Sequence, residues 1–271
     1  MRESVAALRA AGRKVALIPT SGALHAGHAS LIRLARESGA AVVVSAFVNP
    51  LQFGPSEDYA KYPRTPEADQ MLADKEGVDV LFTPTADEMF PKGFSSSVQE
   101  EAVSKPLCGV TRAAHFRGTL TGWLKLINIV QPDTLVLGEK DVQQLAVVKK
   151  VAADLLLPLS ILTGPVVRDA DGMAVSARNA YLTPSQREEA LAVIKALRTA
   201  KEMVESGVKS TDRVVAEATH IIGEKRRLRV IYISVVDRRT MEQVREILPD
   251  QCLLAVSYWV DEVRLTDNMP L

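Results

Sequence analysis

Two histidines, His25 and His28, lie three residues apart in a glycine-bearing stretch that follows an apolar run and precedes a helix-like segment. A helix N-terminus attracts anions through its unpaired backbone N–H groups and its dipole. If a helix begins near His25, the two imidazoles share one face of it. Gly27 has no side chain that would keep a ligand away from the backbone. The spacing therefore predicts a turn that binds phosphate, with unpaired N–H groups and two imidazoles beside it.

A zinc site is the alternative for this pair of histidines, because imidazole is a common zinc ligand. The HxxH spacing lacks the glutamate and the i, i+4 spacing of HExxH, and Cys and carboxylate side chains lie far from it in sequence. A capping or surface role is the other alternative for a single histidine at a helix start. Two of the four histidines of the chain lie within these four residues, however. We therefore favour phosphate binding and assign no metal ligand.

Other polar side chains occur where apolar runs end. Asn49 and Gln52 come directly after the apolar run 41–48, Lys140 follows a later one, and Arg178 lies in a polar loop. Gln offers a donor and an acceptor together, Lys is a mobile cation, and Arg binds two oxygens at once. Each stretch also has an ordinary interpretation as a turn, a solvated helix start or a surface loop. Their placement after strands makes them candidates for a binding site.

Apolar runs alternate with helix-like segments through the first part of the chain, which predicts parallel strands joined by helices. The expected strands are 14–19, 41–48, 78–82, 134–137 and 159–163. The helix after the histidine turn is expected over 28–38. The carboxyl ends of parallel strands meet at one edge of a sheet, where ligands bind. The pattern predicts an α/β fold with a doubly wound parallel sheet and the candidate residues at its carboxyl edge.

The polar, aperiodic segment 166–179 ends this alternation and predicts a domain boundary. A capping box with proline at the first helical position follows at 183–186 and opens an amphipathic helix. A second helix and three antiparallel strands are expected after it, the strands over 228–236, 252–260 and 263–265. The predicted domains are a sheet domain, 1–167, and a smaller α+β domain, 168–271.

The composition argues against several classes of partner. The 271 residues include 33 basic and 33 acidic side chains, so the protein has no net charge that would attract nucleic acid. No apolar run has the length of a membrane span or a signal peptide. Two cysteines far apart in sequence fit a reducing compartment. We expect a cytoplasmic protein with small-molecule ligands and with neither a nucleic-acid nor a membrane partner.

The stretch 19–28, PTSGALHAGH, resembles the PTMGALHEGH motif of the pantothenate synthetases, which belong to the HxGH nucleotidylyltransferase superfamily. The resemblance continues in order through FVNPLQFGPSEDYAKYPR, HFRG, LGEKDVQQL and RDADGMAVSARNAYL. It implies a Rossmann-like domain with a C-terminal lid, and a homodimer. It also implies a ligase that joins pantoate to β-alanine with ATP and Mg²⁺. Pantoate would form a pantoyl adenylate with release of pyrophosphate, and the amine would then displace AMP.

The same resemblance implies roles for individual residues. His28 would be the catalytic proton donor and His25 would contact the phosphates, with Lys140 and Arg178 as further catalytic cations. The residues implied for ATP are Ser21, Gly22, Ala23, Leu24, His25, Ala26, Gly27, His28, Gly138, Glu139, Lys140, Asp141, Val167, Val175, Ser176, Ala177 and Arg178. The residues implied for the other substrates are Gln52, Gln144, Asn49 and His115.

The chain departs from the family motifs at Ser21, where the family has Met, and at Ala177, where it has Ser. The first departure removes apolar wall from the substrate cavity and leaves an acid–amine ligase of altered specificity as an alternative. A nucleotidylyltransferase that stops at an activated product is another, and a weakly active homologue that only binds nucleotide is the third. The paired glutamines, Gln52 and Gln144, suit a hydroxy acid and favour a ligase.

Overall fold

The computed structural model of the protein describes residues 1–55 and 57–271. The chain divides into two units. The first comprises Met1–Glu101, Arg112–Glu139 and Val147–Val166, and the second comprises Ala102–Thr111, Lys140–Ala146 and Val167–Leu271. Two short early segments therefore group with the second unit, and the boundary expected between 167 and 168 stays a prediction. Within the described part of the chain, no helix combines the length and apolar character needed to cross a membrane.

A five-stranded sheet forms the centre of the first unit. Its strands are β1 (Val15–Thr20), β2 (Ala41–Ala46), β3 (Val80–Phe82), β4 (Thr134–Gly138) and β5 (Ser160–Gly164). All pairings are parallel and the strand order is β3-β2-β1-β4-β5. This order is that of a doubly wound sheet, with the change of direction between β1 and β4. The predicted α/β fold is confirmed.

One helix precedes these strands along the chain, and further helices follow between them. They are α1 (Arg2–Ala10), α2 (Ala26–Glu37), α3 (Pro66–Glu76), α4 (Ala86–Met89), α5 (Cys108–Thr111), α6 (His115–Val130) and α7 (Val142–Asp154). Helix α2 begins two residues earlier than the expected 28–38, because His25 serves as its N-cap. One face of α2, including Ile32 and Ala35, packs on Ile18 and Val44 of the sheet. This packing fixes the turn between β1 and α2 at the carboxyl edge of the sheet.

The second unit contains an antiparallel sheet covered by two long helices. Its elements are α8 (Pro184–Glu205), α9 (Thr211–Gly223), β6 (Leu228–Asp237), β7 (Cys252–Val260) and β8 (Val263–Pro270), with strand order β6-β7-β8. Strand β8 is longer than the expected 263–265. Asp267 and Asn268 are polar but buried, because Arg168 binds the carboxylate of Asp267 at 2.7 and 2.9 Å. Paired polar side chains thus continue the strand beyond its apolar residues.

A short 3-10 helix, Pro50–Gln52, lies directly on α6. A Cβ atom at position 118 would lie only 1.9 Å from the carbonyl oxygen of Leu51. Glycine at 118 is therefore required for this approach of two backbones. Asn49 reinforces the contact, because its amide donates to the carbonyl of Gly118 at 2.9 Å and accepts from the N–H of Leu51 at 2.9 Å. The segment after β2 is thereby held against α6.

We expect Gly118→Ala to destabilise the protein by about 1–3 kcal/mol, because the methyl group forces these two backbones apart. Urea unfolding followed by far-UV circular dichroism measures the change. The control is Gly223→Ala at the end of α9, where an added Cβ meets nothing within 4 Å. Equal stability of Gly118→Ala and the unmodified protein would contradict the required close approach.

Candidate active site

The turn after β1 is built by a threonine hydroxyl and two left-handed residues. The Thr20 hydroxyl donates to the carbonyl of Ser45 in β2 at 2.7 Å and accepts from the N–H of Gly22 at 3.1 Å. Gly22 and Ala23 have φ values of 74° and 48°. A left-handed conformation is easy for glycine and uncommon for alanine. The turn therefore needs support from outside the chain segment itself.

Asp69 of α3 supplies that support. Its carboxylate accepts from the N–H of Ala23 at 3.0 Å and from the N–H of Leu24 at 2.7 Å. The Thr65 hydroxyl donates to the same carboxylate at 3.0 Å. Asp69 is only 3% exposed, and three donors compensate for the loss of water around its charge. The sequence predicts unpaired N–H groups in this turn, but these two are occupied by Asp69.

The two histidines stack on each other at the start of α2. Their ring centroids are 4.0 Å apart and the rings are inclined by 25°. Nδ1 of His25 accepts from the N–H of Gly27 at 3.1 Å, and Nδ1 of His28 accepts from the N–H of His25 at 3.2 Å. Because both Nδ1 atoms accept, a neutral ring carries its proton on Nε2. The backbone N–H groups of Gly27 and His25 thus fix the tautomer of each neutral ring.

Gly27 is required for this arrangement. A Cβ atom at position 27 would lie 3.0 Å from Cε1 of the His25 ring. Its absence lets the ring of His25 fold over the first turn of α2 and accept from a backbone N–H there. The glycine of the motif thus serves the position of the histidine side chain as well as access to the backbone.

The first unit also brings Gln52 to this turn. The Gln52 amide donates to the Ser21 hydroxyl at 3.4 Å. His115, the first residue of α6, donates from Nδ1 to the backbone carbonyl of Gln52 at 2.8 Å. Asn49 is 4% exposed and both ends of its amide bond to protein backbone. Three of the four residues predicted for the other substrates therefore belong to one connected group, and their binding roles stay predictions.

The second unit holds Lys140 and Gln144. Lys140 lies in a 3-10 helix, Glu139–Asp141, and its ammonium is 3.5 Å from a carboxylate oxygen of Asp141. The buried Asn268 amide donates to the backbone carbonyl of Lys140 at 2.9 Å. The backbone carbonyl of Asn268 in turn accepts from Arg168 at 3.2 Å. The Asn268 side chain of β8, whose backbone is held by Arg168, thus fixes the backbone that carries Lys140.

The neighbouring glutamines of α7 have different surroundings. Gln143 is 5% exposed, accepts from the N–H of Cys108 at 3.0 Å, and donates to the carbonyls of Val103 and Pro106 at 3.1 and 2.6 Å. Its amide is fully used to hold the segment 103–108. Gln144 is half-buried. The Gln143 amide is therefore occupied by structural bonds, and the binding role of Gln144 stays a prediction.

The remaining predicted ATP residues lie on a tight loop of the second unit. The N–H of Val175 donates to the carbonyl of Val167 at 3.0 Å, which brings the two ends of the loop together. Ser176 caps a 3-10 helix, Ala177–Tyr181, by accepting from the N–H of Arg178 at 3.3 Å. The predicted residues Val167 and 175–178 are therefore close neighbours, and their contact with ATP stays a prediction.

Ion pairs stiffen this loop. Arg187 of α8 donates to Asp171 and to Asp169, each at 2.7 Å. The Arg187 guanidinium holds the pKa of the Asp171 carboxyl below its usual range. The Asp171 carboxylate also accepts from the N–H of Met173 at 3.1 Å. Arg187 thus joins this loop to α8 through two carboxylates that are ionised at neutral pH.

Three residues that hold the backbone of the candidate site are missed by the predictions from sequence: Asp69, Arg112 and Asn268. Arg112 donates to the backbone carbonyl of Gln52 at 3.3 Å and to the carboxylate of Glu57 at 2.7 Å. For Asp69 a signal exists, because Asp69, Ala73 and Glu76 recur at helical spacing on a buried face. A carboxylate on such a face has to find donors. In the described residues, no three Cys, His, Asp or Glu side chains group into a metal site.

The fold of the first unit is that of a doubly wound α/β protein, with the histidine turn at the carboxyl edge of its sheet. The model of the pantoate-beta-alanine ligase family matches residues 1–270, and the chain belongs to this family.

Named relatives agree with this membership. The pantothenate synthetase of Heliobacterium modesticaldum is 46% identical over 258 residues, which are 95% of this chain and 92% of that protein. The crystal structure of pantothenate synthetase from Thermus thermophilus matches with a TM-score of 0.93 and 38% identity, over 98% of this chain and 97% of the other. A Francisella tularensis pantoate-beta-alanine ligase, complexed with beta-gamma ATP and beta-alanine, matches with a TM-score of 0.81 and 29% identity, over 99% and 95%.

We expect Asp69→Ala to lower the free energy of unfolding by about 1–3 kcal/mol, because two buried N–H groups lose their acceptor. Amide hydrogen exchange measured by NMR should then be faster at Ala23 and Leu24. The matched control on the same helix is Asp74→Ala, whose exposed carboxylate accepts from the side chain of Gln70. Unchanged exchange at both amides would show that Asp69 does not hold the turn.

Proposed function

We propose that this protein condenses pantoate with β-alanine at the expense of ATP. The observation that carries the proposal is the family match, which extends over residues 1–270. In the proposed reaction the carboxylate of pantoate attacks the α-phosphorus of ATP and pyrophosphate leaves. The amine of β-alanine then attacks the acyl carbon of the pantoyl adenylate, and AMP leaves. Both steps use the substrates' own nucleophiles.

The basic side chains have a defined task in the first step. Negative charge grows on the bridging oxygen as pyrophosphate departs, so donors that bind this charge accelerate the step. We assign this task to His25, His28, Lys140 and Arg178, with His28 as proton donor. The Nδ1 hydrogen bonds of the two histidines support the assignment, because they leave the ring proton on Nε2.

Substrate contacts are assigned from the family motifs that these residues match. We assign ATP to 21–28, 138–141, Val167 and 175–178. Gln52 and Gln144 are assigned to pantoate, with Gln52 also close to β-alanine. Asn49 and His115 belong to the proposed pantoate site because both contact the backbone of the Pro50–Gln52 helix.

Mg²⁺ is proposed as the companion of ATP. Magnesium is usually held by phosphate oxygens together with one or two carboxylates. Glu139 and Asp141, which flank Lys140, offer such carboxylates and fit a hard cation. When bound, the ion would neutralise part of the phosphate charge.

A homodimer and a cytoplasmic location complete the proposal. Leu155 and Leu156 are 51% and 86% exposed near the edge strand β5, and large exposed apolar side chains often mark association surfaces. Sedimentation equilibrium tests the assignment by giving the mass in solution. The free thiols of Cys108 and Cys252 fit a reducing compartment.

We expect AMP, pyrophosphate and pantothenate to form when ATP, Mg²⁺, pantoate and β-alanine are all present. Mass spectrometry and a pyrophosphate assay identify the products, with each component omitted in turn. Omitting β-alanine should stop the reaction at enzyme-bound adenylate. Release of ADP and phosphate would contradict the mechanism. Binding of ATP without turnover of any hydroxy acid would instead indicate a nucleotide-binding homologue.

We expect His28→Ala and Lys140→Ala each to lower turnover by two to three powers of ten, about 3–4 kcal/mol, because each removes a donor to developing charge. Steady-state kinetics measures the loss, and circular dichroism checks the fold. His220→Ala and Lys150→Ala are matched controls, since both side chains are exposed and pair with carboxylates at i, i+4. Full activity in either active-site variant would remove that residue from the chemistry.

A further inference from the structure

We infer that the ion pair between Arg112 and Glu57 positions Gln52 for binding of the hydroxy acid. The inference rests on the proposed function, because Gln52 is assigned to pantoate there. Arg112 and Glu57 are positioning residues in this account: they act through the backbone of Gln52, and the acid itself is bound by the Gln52 side chain.

The ion pair is enclosed and bidentate. Nε of Arg112 donates to Oε1 of Glu57 at 2.7 Å, and Nη2 donates to Oε2 of the same carboxylate. The two side chains are 14% and 19% exposed. Exposed ion pairs contribute little because water and salt screen them, but an enclosed fork-to-fork pair fixes the orientation of both groups. The plane of the Arg112 guanidinium is therefore set by Glu57.

This orientation directs Arg112 at Gln52. Nη2 of Arg112, which binds Glu57, also donates to the backbone carbonyl of Gln52 at 3.3 Å. The same carbonyl accepts from Nδ1 of His115 at 2.8 Å. Two side chains from the segment 112–115 thus converge on one backbone oxygen. A carbonyl held by two donors has little freedom to rotate.

The rest of Gln52 is restrained as well. On its N-terminal side, Asn49 joins the N–H of Leu51 to the carbonyl of Gly118. At the side chain, the amide nitrogen of Gln52 donates to the Ser21 hydroxyl at 3.4 Å. This bond joins the Gln52 carboxamide to the turn after β1. The side chain is thus ordered before a ligand binds, which reduces the entropy lost on binding.

Glu57 connects this restraint to the chain that follows Gln52. Its N–H donates to the carbonyl of Gly54 at 3.0 Å. Arg112 therefore ties both Gln52 and Glu57 to the segment that precedes α6. Without the ion pair, the backbone of Gln52 would lose one of its two donors. The expected loss is in affinity for the acid, while the ATP residues at 21–28 keep their own support from Asp69.

The experiment compares Arg112→Gln and Glu57→Gln with the unmodified enzyme in steady-state kinetics. We expect KM for pantoate to rise tenfold or more in each variant, while KM for ATP stays within twofold and kcat within threefold. The double variant should resemble the single ones, because either substitution breaks the same pair. Arg112→Lys should give a KM for pantoate between those of the unmodified enzyme and Arg112→Gln. Lysine keeps the positive charge but cannot bind both carboxylate oxygens in the bidentate manner of arginine.

A second bidentate ion pair of the first unit provides the control. Arg33 of α2 donates to Glu76 of α3, with Nε 2.7 Å from Oε2. Arg33→Gln and Glu76→Gln remove the same chemistry without touching Gln52 and should leave KM for pantoate unchanged. If they raise it as much as Arg112→Gln does, loss of stability explains both effects and the inference is wrong.

Gln52→Ala distinguishes a failure of the pantoate assignment from a failure of the positioning role. If it leaves KM for pantoate unchanged, the assignment of Gln52 to pantoate fails. If it raises that constant while Arg112→Gln and Glu57→Gln do not, the proposed function stands and the positioning role is refuted. Equal increases in KM for ATP and pantoate would also refute it. Should Arg112→Gln fail to fold, Glu57→Gln and Arg112→Lys give the same comparison.

Discussion

The buried carboxylate of Asp69 is the interaction on which the histidine turn depends. A charge removed from water is costly unless donors surround it, and here two backbone N–H groups and a hydroxyl do so. In return, the carboxylate holds Gly22 and Ala23 in left-handed conformations. With the turn in this form, His25 caps α2 and the ring of His28 stacks on the ring of His25. A single residue from α3 thus determines the geometry of a motif 41 to 47 positions earlier in sequence.

Much of the fold could be predicted because buried strands and helices have regular patterns of apolar residues. Strands β1 and β2 are apolar on both faces, as parallel strands covered by helices must be, and β6 and β7 begin and end close to the expected residues. The end of β8 could not be predicted. Asp267 and Asn268 resemble a turn until their partners, Arg168 and the carbonyl of Lys140, are known. Those partners lie 99 and 128 residues away in sequence.

The relative position of the two histidines could also be predicted. The spacing of His25 and His28 indicates that the rings share one side, and the structure stacks them. The tautomers of the two rings could not be predicted, because they depend on which ring nitrogen accepts a hydrogen bond from a backbone N–H group. The sequence likewise does not distinguish Gln143 from Gln144, whereas the carbonyls around Gln143 do. Arg112 offers no local signal, since its partners, Gln52 and Glu57, are reached only by folding.

The two glycines of α6 have a consequence for how this protein can change. Gly118 and Gly122 are one helical turn apart, and an added Cβ at 122 would lie 2.5 Å from the Asn49 amide. Two chain segments are thus locked together without room for a methyl group along one full turn. An insertion or a shift of register in either segment would bring a side chain into this contact and force the two segments apart. Sequence change along this contact is therefore restricted to point substitutions that leave Gly118, Gly122 and Asn49 in place.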